Sequence, residues 1–121
     1  MEPLTIIETN ETPEIYFNGD SGLFSISGKS YPENVYDFYQ EAFNYIDIYK
    51  SKPQKKTVIE FKWLYYNTAT SKIIVKIILA LKDVSKEFEV NWYCKKEVDL
   101  LIEKGNEIKD VLGINLKVVY I

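Results

Sequence analysis

The chain has 121 residues, a hydrophobic fraction of 46%, an aromatic fraction of 15% and a formal net charge of −3 at pH 7. A chain of this length forms a single domain, and its apolar content suffices for a packed core, which excludes a disordered chain and a disulfide-stapled miniprotein. The acidic balance argues against nucleic acid as a partner, because nucleic-acid binding usually needs a basic face.

The chain lacks residue types on which many enzymes depend. It contains no histidine, and all fifteen basic residues are lysines. Histidine catalysis, histidine metal sites and arginine clamps on phosphate are therefore excluded. The single cysteine, Cys94, excludes an intrachain disulfide and a thiolate metal cage. We therefore expect a protein that is not an enzyme and that needs no metal or other cofactor.

No segment has the features of a targeting signal or a membrane span. The first residues, Met-Glu-Pro-Leu-Thr, lack the basic region and the apolar run of a secretory signal. The most apolar stretch, from Ile73 to Leu81, contains Lys76 and is far shorter than the roughly 20 residues that a membrane helix needs. The sequence predicts a cytoplasmic protein without a membrane partner.

The chain is expected to begin with an arm and a hairpin. Residues 1–12 combine several polar residues with few apolar ones and end before Pro13, which predicts a flexible N-terminal arm and a single domain over residues 13–121. Two short strands, Glu14–Asn18 and Leu23–Gly28, flank the turn sequence Gly-Asp-Ser-Gly, as in a hairpin.

The first helix is predicted after this hairpin. Ser30, followed three residues later by Glu33, has the form of a capping box, and Pro32 fits the first turn of a helix. Apolar residues then recur at the helical period as far as Tyr49.

The remainder of the chain alternates strands with helices. Strands are expected at Thr57–Leu64, Phe88–Cys94 and Ile114–Ile121, and helices at 69–86 and 97–112, with Gly113 ending the last helix. The order β-β-α-β-α-β-α-β implies a mixed, mostly parallel sheet, because helical crossovers join parallel strands. The strands alternate apolar with polar residues, so all three helices should lie on one face and leave the other solvated. The expected fold is a two-layer α/β domain.

Three features that suggest chemistry have simpler structural explanations. Asp99 and Glu103 lie one helical turn apart, as a pair of cation ligands would, but a solvated helix face is the commoner reason for such spacing. Many aromatic residues fall on the predicted core faces, which favours a core over a base-stacking platform. Cys94 has Lys95 and Lys96 beside it, but it ends an apolar strand face, as a buried structural cysteine does.

The segment that leads into the second helix is rich in hydroxyl groups. Thr68, Thr70 and Ser71 follow Asn67 where this helix is predicted to begin. Asn and Thr commonly cap helices, so a structural role alone would explain them. A helix N-terminus also favours a phosphate, through its free N–H groups and the positive end of the helix dipole. Lys72, four residues after Thr68, would supply a counter-charge.

The element order, with a hydroxyl at the start of the second helix, resembles the STAS domain of anti-sigma factor antagonists. Two motifs are closer to the SiaC family of regulatory phosphoproteins: Gly-Lys-Ser-Tyr-Pro-Glu-Asn at 28–34, and Tyr-Asn-Thr at 66–68 with Lys72 following. The resemblance implies that Thr68 is phosphorylated. Thr70 and Ser71 of this chain remain alternative acceptors. The docking surface that we expect comprises Ser30, Tyr31, Pro32, Glu33, Asn34, Tyr66, Asn67 and Lys72.

The resemblance also implies protein partners. A dedicated protein kinase would phosphorylate Thr68, a PP2C-type phosphatase would dephosphorylate it, and the unphosphorylated form would bind and activate a diguanylate cyclase. We therefore expect a partner switch controlled by phosphorylation. Two alternatives stay open. One is an anti-sigma factor antagonist, although such proteins often have Asp where this chain has Asn67. The other is a STAS module that binds a small molecule.

Overall fold

The computed structural model describes residues 1–121 and contains a six-stranded sheet and three helices. The strands are β1 (Leu4–Ile6), β2 (Glu14–Asn18), β3 (Leu23–Ser30), β4 (Lys56–Tyr66), β5 (Glu87–Cys94) and β6 (Leu116–Tyr120). The helices are α1 (Val35–Tyr49), α2 (Thr68–Leu81) and α3 (Asp99–Leu112).

The strands lie in the sheet in chain order. β1, β2 and β3 pair antiparallel, which confirms the predicted hairpin of β2 and β3, and the strands from β3 to β6 pair parallel. One helix joins the two strands of each parallel pair, because parallel neighbours need a crossover connection. The mixed, mostly parallel sheet is therefore confirmed.

The first twelve residues contain a strand that sequence analysis missed. Leu4–Ile6 pairs antiparallel with β2 as an edge strand, and the amino group of Met1 lies 2.8 Å from Asp20 Oδ1. The expectation of a loose arm is wrong for this segment. Three alternating residues are too few to indicate a strand, since the pairing partner and not the local pattern orders them. The element order is β-β-β-α-β-α-β-α-β.

All three helices cover one face of the sheet. Phe61, Trp63 and Trp92 point to that face and are almost completely buried, with the ring of Phe61 5.7 Å from that of Trp63 and 5.6 Å from that of Trp92. The opposite face is polar and only half-buried, and on it Tyr93 donates a hydrogen bond of 3.0 Å to Glu60. The predicted two-layer arrangement is confirmed.

The first helix begins later than predicted. Its N-cap is Asn34, whose side chain accepts a hydrogen bond of 3.2 Å from the backbone N–H of Asp37. The predicted capping box of Ser30 and Glu33 is therefore wrong. Ser30 is the last residue of β3, and its hydroxyl is used inside the core.

The other two helices differ from prediction by a few residues. α2 ends at Leu81 and not at residue 86. There the backbone N–H of Val84 donates a hydrogen bond of 3.2 Å to the carbonyl of Leu81, three residues earlier, as in a turn and not as in an α-helix. Gly113 ends α3 with a left-handed φ of +61°, as predicted. None of the three helices combines the length and the apolar content that crossing a membrane would take.

A glycine lets α3 approach the sheet closely. A Cβ atom on Gly105 would come within 2.7–3.0 Å of ring atoms of Trp92. Trp92 is fully buried, and its Nε1 donates a hydrogen bond of 2.9 Å to the carbonyl of Leu101, one turn before Gly105. This contact fixes the height of α3 above the sheet, because no other residue leaves room for the ring.

Candidate docking and phosphorylation site

The hydroxyl-rich segment forms the N-terminus of α2, as predicted. Asn67 is the N-cap, and its side chain accepts a hydrogen bond of 2.9 Å from the backbone N–H of Thr70. Thr68 is the first helical residue and is exposed to solvent. A negative group on this side chain would lie among the free N–H groups of the first turn.

The three candidate hydroxyls have different surroundings. Thr70 is completely buried, and its hydroxyl donates a hydrogen bond of 3.1 Å to the carbonyl of Ser30. Ser71 is half-buried, and its hydroxyl donates to the carbonyl of Thr68. The hydroxyl of Thr68 makes no hydrogen bond within the protein, so among the three it is the one that solvent and another protein can reach.

A chain of buried hydroxyls fixes the start of α2 to the end of β3. Ser30 Oγ lies 2.7 Å from Tyr39 Oη and 2.9 Å from Thr70 Oγ1. Thr70 already donates its one hydroxyl proton to the Ser30 carbonyl, so Ser30 must donate to Thr70 and accept from Tyr39. Burial raises the pKa of Tyr39, which keeps this phenol protonated as the first donor of the chain.

The string from Ser30 to Asn34 divides into core and surface residues. Ser30 is fully buried, so its side chain cannot contact a partner, and the expectation that it belongs to the docking surface is wrong. Asn34 caps α1, whereas Pro32 lies outside that helix and does not occupy its first turn. Tyr31 and Glu33 are exposed. The backbone N–H of Asn67 donates a hydrogen bond of 3.1 Å to the Ser30 carbonyl, which connects the start of this string to the N-terminus of α2.

A bulge in β4 shapes the surface in front of Thr68. Gly28 of β3 pairs with Trp63, and Lys29 pairs with Tyr65, so Leu64 is an extra residue on β4. As a result Leu64 and Tyr65 are both about half exposed, at 49% and 51%. Gly28 has a φ of +118°, a backbone conformation that favours glycine at this position of the motif.

An apolar groove runs from this bulge to α3. It encloses about 330 Å³, and its lining residues include Leu64 of β4, Thr68 of α2, and Val98 and Leu101 at the start of α3. Lys104 of α3 lies on the same groove. A second cavity of about 450 Å³ is lined by residues of α2 and α3 and shares Tyr66, Ser71 and Lys104 with the first.

Aromatic and aliphatic side chains extend the groove outward. Tyr31 packs edge-on against Tyr65 at 5.8 Å between ring centres. Leu100, which lines the groove, is 62% exposed, and Tyr36 of α1, which lies beside Lys76 of the second cavity, is 57% exposed. Exposed apolar groups of this size around a groove are typical of a protein-binding surface.

Lysines surround the N-terminal half of α2. Lys72 lies on the second cavity, and Lys76 places its Nζ 5.1 Å from the ring centre of Tyr36. On α3, Lys104 Nζ lies 3.8 Å from Glu107 Oε2. Three lysine ammonium groups and the free N–H groups of the first turn of α2 are therefore the groups of this region that favour an anion.

Tyr66 lies between the groove and the core. Its ring is 5.2 Å from that of Trp63, and its hydroxyl is buried without a hydrogen-bond partner. Burial, with the carboxylate of Glu107 nearby, raises the pKa of Tyr66 to about 12. The side chain is a wall of the groove, and only part of it is open to a partner.

Comparison with known proteins identifies the family. The model of the SiaC family of regulatory phosphoproteins matches residues 6–121, which is nearly the whole chain. The chain belongs to the SiaC family.

Relatives of this SiaC-family chain are known from Pseudomonas aeruginosa. An uncharacterized protein of strain UCBPP-PA14 is 24% identical over 113 residues, which cover 91% of this chain and 90% of that protein. Apo-SiaC from Pseudomonas aeruginosa is 22% identical and superposes with a TM-score of 0.87 over 98% of both chains. SiaC in a crystal structure of the diguanylate cyclase SiaD in complex with its activator SiaC is 22% identical, with a TM-score of 0.87 over 95% of this chain and 97% of that chain. These structures share the fold described above.

In this SiaC-family chain, sequence analysis missed the apolar half of the site and one of its lysines. Leu64 and Tyr65 looked like ordinary strand residues, since nothing in the sequence indicates the bulge. The sequence does indicate Leu100, because it is an apolar residue that lies outside the apolar face of α3. Lys104 comes from a distant element, and only the fold brings it to the groove that Thr68 lines.

The structure gives no support to a cation site at Asp99 and Glu103 or to a reactive thiol at Cys94. Asp99 and Glu103 are both exposed, and no group of three or more acidic or cysteine residues is arranged to hold a metal ion. Cys94 is completely buried, and burial raises the pKa of its thiol in spite of the adjacent lysines.

Proposed function

We propose that this protein is a non-enzymatic partner switch. The unphosphorylated form binds and activates a diguanylate cyclase, and phosphorylation of Thr68 by a dedicated kinase blocks this binding. A PP2C-type phosphatase restores the active form. The observation that carries the proposal is the exposed hydroxyl of Thr68 on the wall of an apolar groove.

The family supports regulation by phosphorylation, and a solved relative supports the activation of a diguanylate cyclase. The family is one of regulatory phosphoproteins. The SiaC of Pseudomonas aeruginosa is the activator of the diguanylate cyclase with which it was crystallised. Thr68 has the exposure that a kinase needs, whereas Thr70 has none.

The modification itself is a simple group transfer. The kinase moves the terminal phosphoryl group of a nucleoside triphosphate to Thr68 Oγ1, the hydroxyl proton leaves, and a nucleoside diphosphate is released. The phosphatase hydrolyses the new ester with water to give back the hydroxyl and inorganic phosphate. Thr68 Oγ1 is the nucleophile that attacks the phosphorus atom, and the kinase supplies the other catalytic groups.

A phosphate at this position opposes docking through desolvation. It adds about −1.5 to −2 charges and three acceptor oxygens at pH 7. A partner that covers the groove must strip water from these oxygens and gains nothing back unless it supplies a cation. A loss of only ~3 kcal/mol would weaken binding more than a hundredfold, since each 1.4 kcal/mol is a factor of ten.

The docking surface consists of the groove and its apolar surroundings. Tyr31, Leu64, Tyr65 and Leu100 are the exposed apolar side chains around Thr68. Aromatic side chains of this kind are frequent among the residues that dominate binding energy. The fold needs no change on phosphorylation, because the acceptor is already at the surface.

The experiment compares three variants as baits and as effectors. Thr68→Ala should keep the cyclase and resist the kinase, and Thr68→Asp should lose the cyclase while it melts within a few degrees of the wild type. Asn115→Asp is the matched control: it adds the same charge at an exposed site before β6, at the opposite end of the parallel strands. Bound proteins are identified by mass spectrometry, and the conversion of GTP by the captured cyclase is measured with each variant.

Three results would contradict the proposal. The first is equal capture of the cyclase by both Thr68 variants and by enzymatically phosphorylated protein. The second is undiminished phosphate incorporation into Thr68→Ala. The third is capture of an anti-sigma factor in place of a cyclase, which would favour the sigma-factor switch.

A further inference from the structure

We propose that Lys104 is the residue that holds the phosphate of phosphorylated Thr68, so that a bridge between α2 and α3 closes the mouth of the groove. This inference rests on the proposed phosphorylation of Thr68 and adds how the phosphate acts. Phosphorylation would then block docking by occupying the groove, in addition to adding charge.

The positions of the two residues support a bridge. Thr68 begins α2, Lys104 lies in α3, and both line the same groove of about 330 Å³. Leu64, Val98 and Leu101 line this groove as well. A phosphate joined to the lysine ammonium would occupy part of this groove and would compete with a partner for it.

The present contact of Lys104 is weak enough to be exchanged. Its Nζ lies 3.8 Å from Glu107 Oε2, and the two side chains are 44% and 64% exposed. Exposed ion pairs of this kind contribute little to stability. A phosphate carries more charge than a carboxylate and offers three acceptor oxygens, so it competes well for the same ammonium group.

The other lysines near α2 are less well placed. Lys72 lies one turn after Thr68 on the same helix, but it lines the second cavity and not the groove that contains Thr68. Lys76 sits over the ring of Tyr36 at 5.1 Å, which directs it toward α1. The counter-charge that sequence analysis assigned to Lys72 is therefore better supplied by Lys104.

The test measures the second ionisation of the phosphate itself. Phosphothreonine is installed at position 68 of the full chain by genetic-code expansion, so that neither the kinase nor the cyclase enters the experiment. The phosphorus NMR shift is then followed against pH in the parent protein and in three variants: Lys104→Gln, Lys104→Arg and Lys72→Gln. The ordinary value of this pKa is about 6.

A neighbouring cation lowers this pKa, because it stabilises the dianion. We expect Lys104→Gln to raise the pKa of the phosphate by about half a pH unit, the size expected of a pair at a partly exposed site. Lys104→Arg should keep the low value, since the charge is retained. Lys72→Gln should change it by less than about 0.2 units. The first-turn N–H groups act on the phosphate equally in all four proteins.

Two outcomes would refute the bridge. One is a larger shift for Lys72→Gln than for Lys104→Gln, which would assign the phosphate to its own helix. The other is no shift in any variant, which would leave the phosphate in open solvent. Melting curves establish that each variant is folded, and the exposed position of Lys104 makes unfolding unexpected. Loss of cyclase binding on phosphorylation, without an effect of Lys104, would uphold the proposed function and reject this inference alone.

Discussion

Removal of the Ser30 hydroxyl should destabilise the domain strongly although it deletes a single atom. In Ser30→Ala, the buried phenol of Tyr39 loses the acceptor that lies 2.7 Å away. A buried polar group without a partner costs about 1–3 kcal/mol. The hydroxyl of Thr70 loses the donor at 2.9 Å, which is worth a further ~0.5–1.5 kcal/mol, while it keeps its own bond to the Ser30 carbonyl. The expected total is about 2–4 kcal/mol.

The assay is urea and thermal unfolding followed by circular dichroism. For a domain of this size, 2–4 kcal/mol corresponds to a fall in Tm of about 6–15 °C. The matched control is Ser27→Ala. Ser27 lies on the same strand but is half-buried on the solvated face, and its side chain makes no hydrogen bond, so the change should stay within about 0.5 kcal/mol.

A double-mutant cycle isolates the proposed cause. Tyr39→Phe in the Ser30→Ala background removes the phenol that has lost its acceptor, so it should be neutral or stabilising. The same change in the wild type should cost about 1 kcal/mol, because it breaks an intact bond. The reasoning about the hydroxyl chain is refuted if the two substitutions are additive, or if Ser30→Ala unfolds like the wild type.

Three further predictions follow from buried groups. Gly105→Ala should destabilise the domain by about 1–3 kcal/mol in chemical denaturation, because the added methyl group meets the ring of Trp92. Alanine favours a helix by ~1 kcal/mol over glycine, and the clash should outweigh this gain. A stabilised variant would contradict the prediction. Tyr66→Phe should be neutral or stabilising at pH 7, since the hydroxyl has no partner. The wild type should lose stability between about pH 10 and pH 12, because the phenol ionises there in the unfolded chain but not in the folded one, where its pKa is about 12. Tyr66→Phe should make this loss smaller in unfolding curves measured against pH. Cys94 should react with a chromogenic disulfide reagent only at the rate of unfolding, because it is buried and its thiol pKa is raised; fast labelling of the native protein would show that the strand end is open.

Local patterns in the sequence predict most of the fold. The alternation around Phe61 and Trp92 indicates which face of the sheet is buried, and the turn at residues 19–22 predicts the hairpin. Gly113 marks the end of α3 because a left-handed residue is needed there. These features depend on neighbouring residues only, so they can be read without knowledge of the tertiary structure.

The features that the sequence could not predict depend on distant partners. Ser30 has the form of a helix cap, but its hydroxyl instead completes a buried chain with Tyr39 and Thr70, which lie on two other elements. Leu64 becomes an extra strand residue only because of its register with β3. Thr68 could be predicted as a candidate, since helix caps have a local signature. The place of Lys104 on the same groove could be seen only in the fold.

The contact between Gly105 and Trp92 has a consequence for how the site can evolve. Since α3 rests directly on a buried ring, the width of the groove beside it is fixed by this contact. A relative cannot change the width of the groove by a substitution on the helix alone, because the ring and the glycine must change together. Differences in partner preference within the family should therefore accumulate on the rim, at positions such as Leu64 and Leu100, while the pair beneath stays coupled.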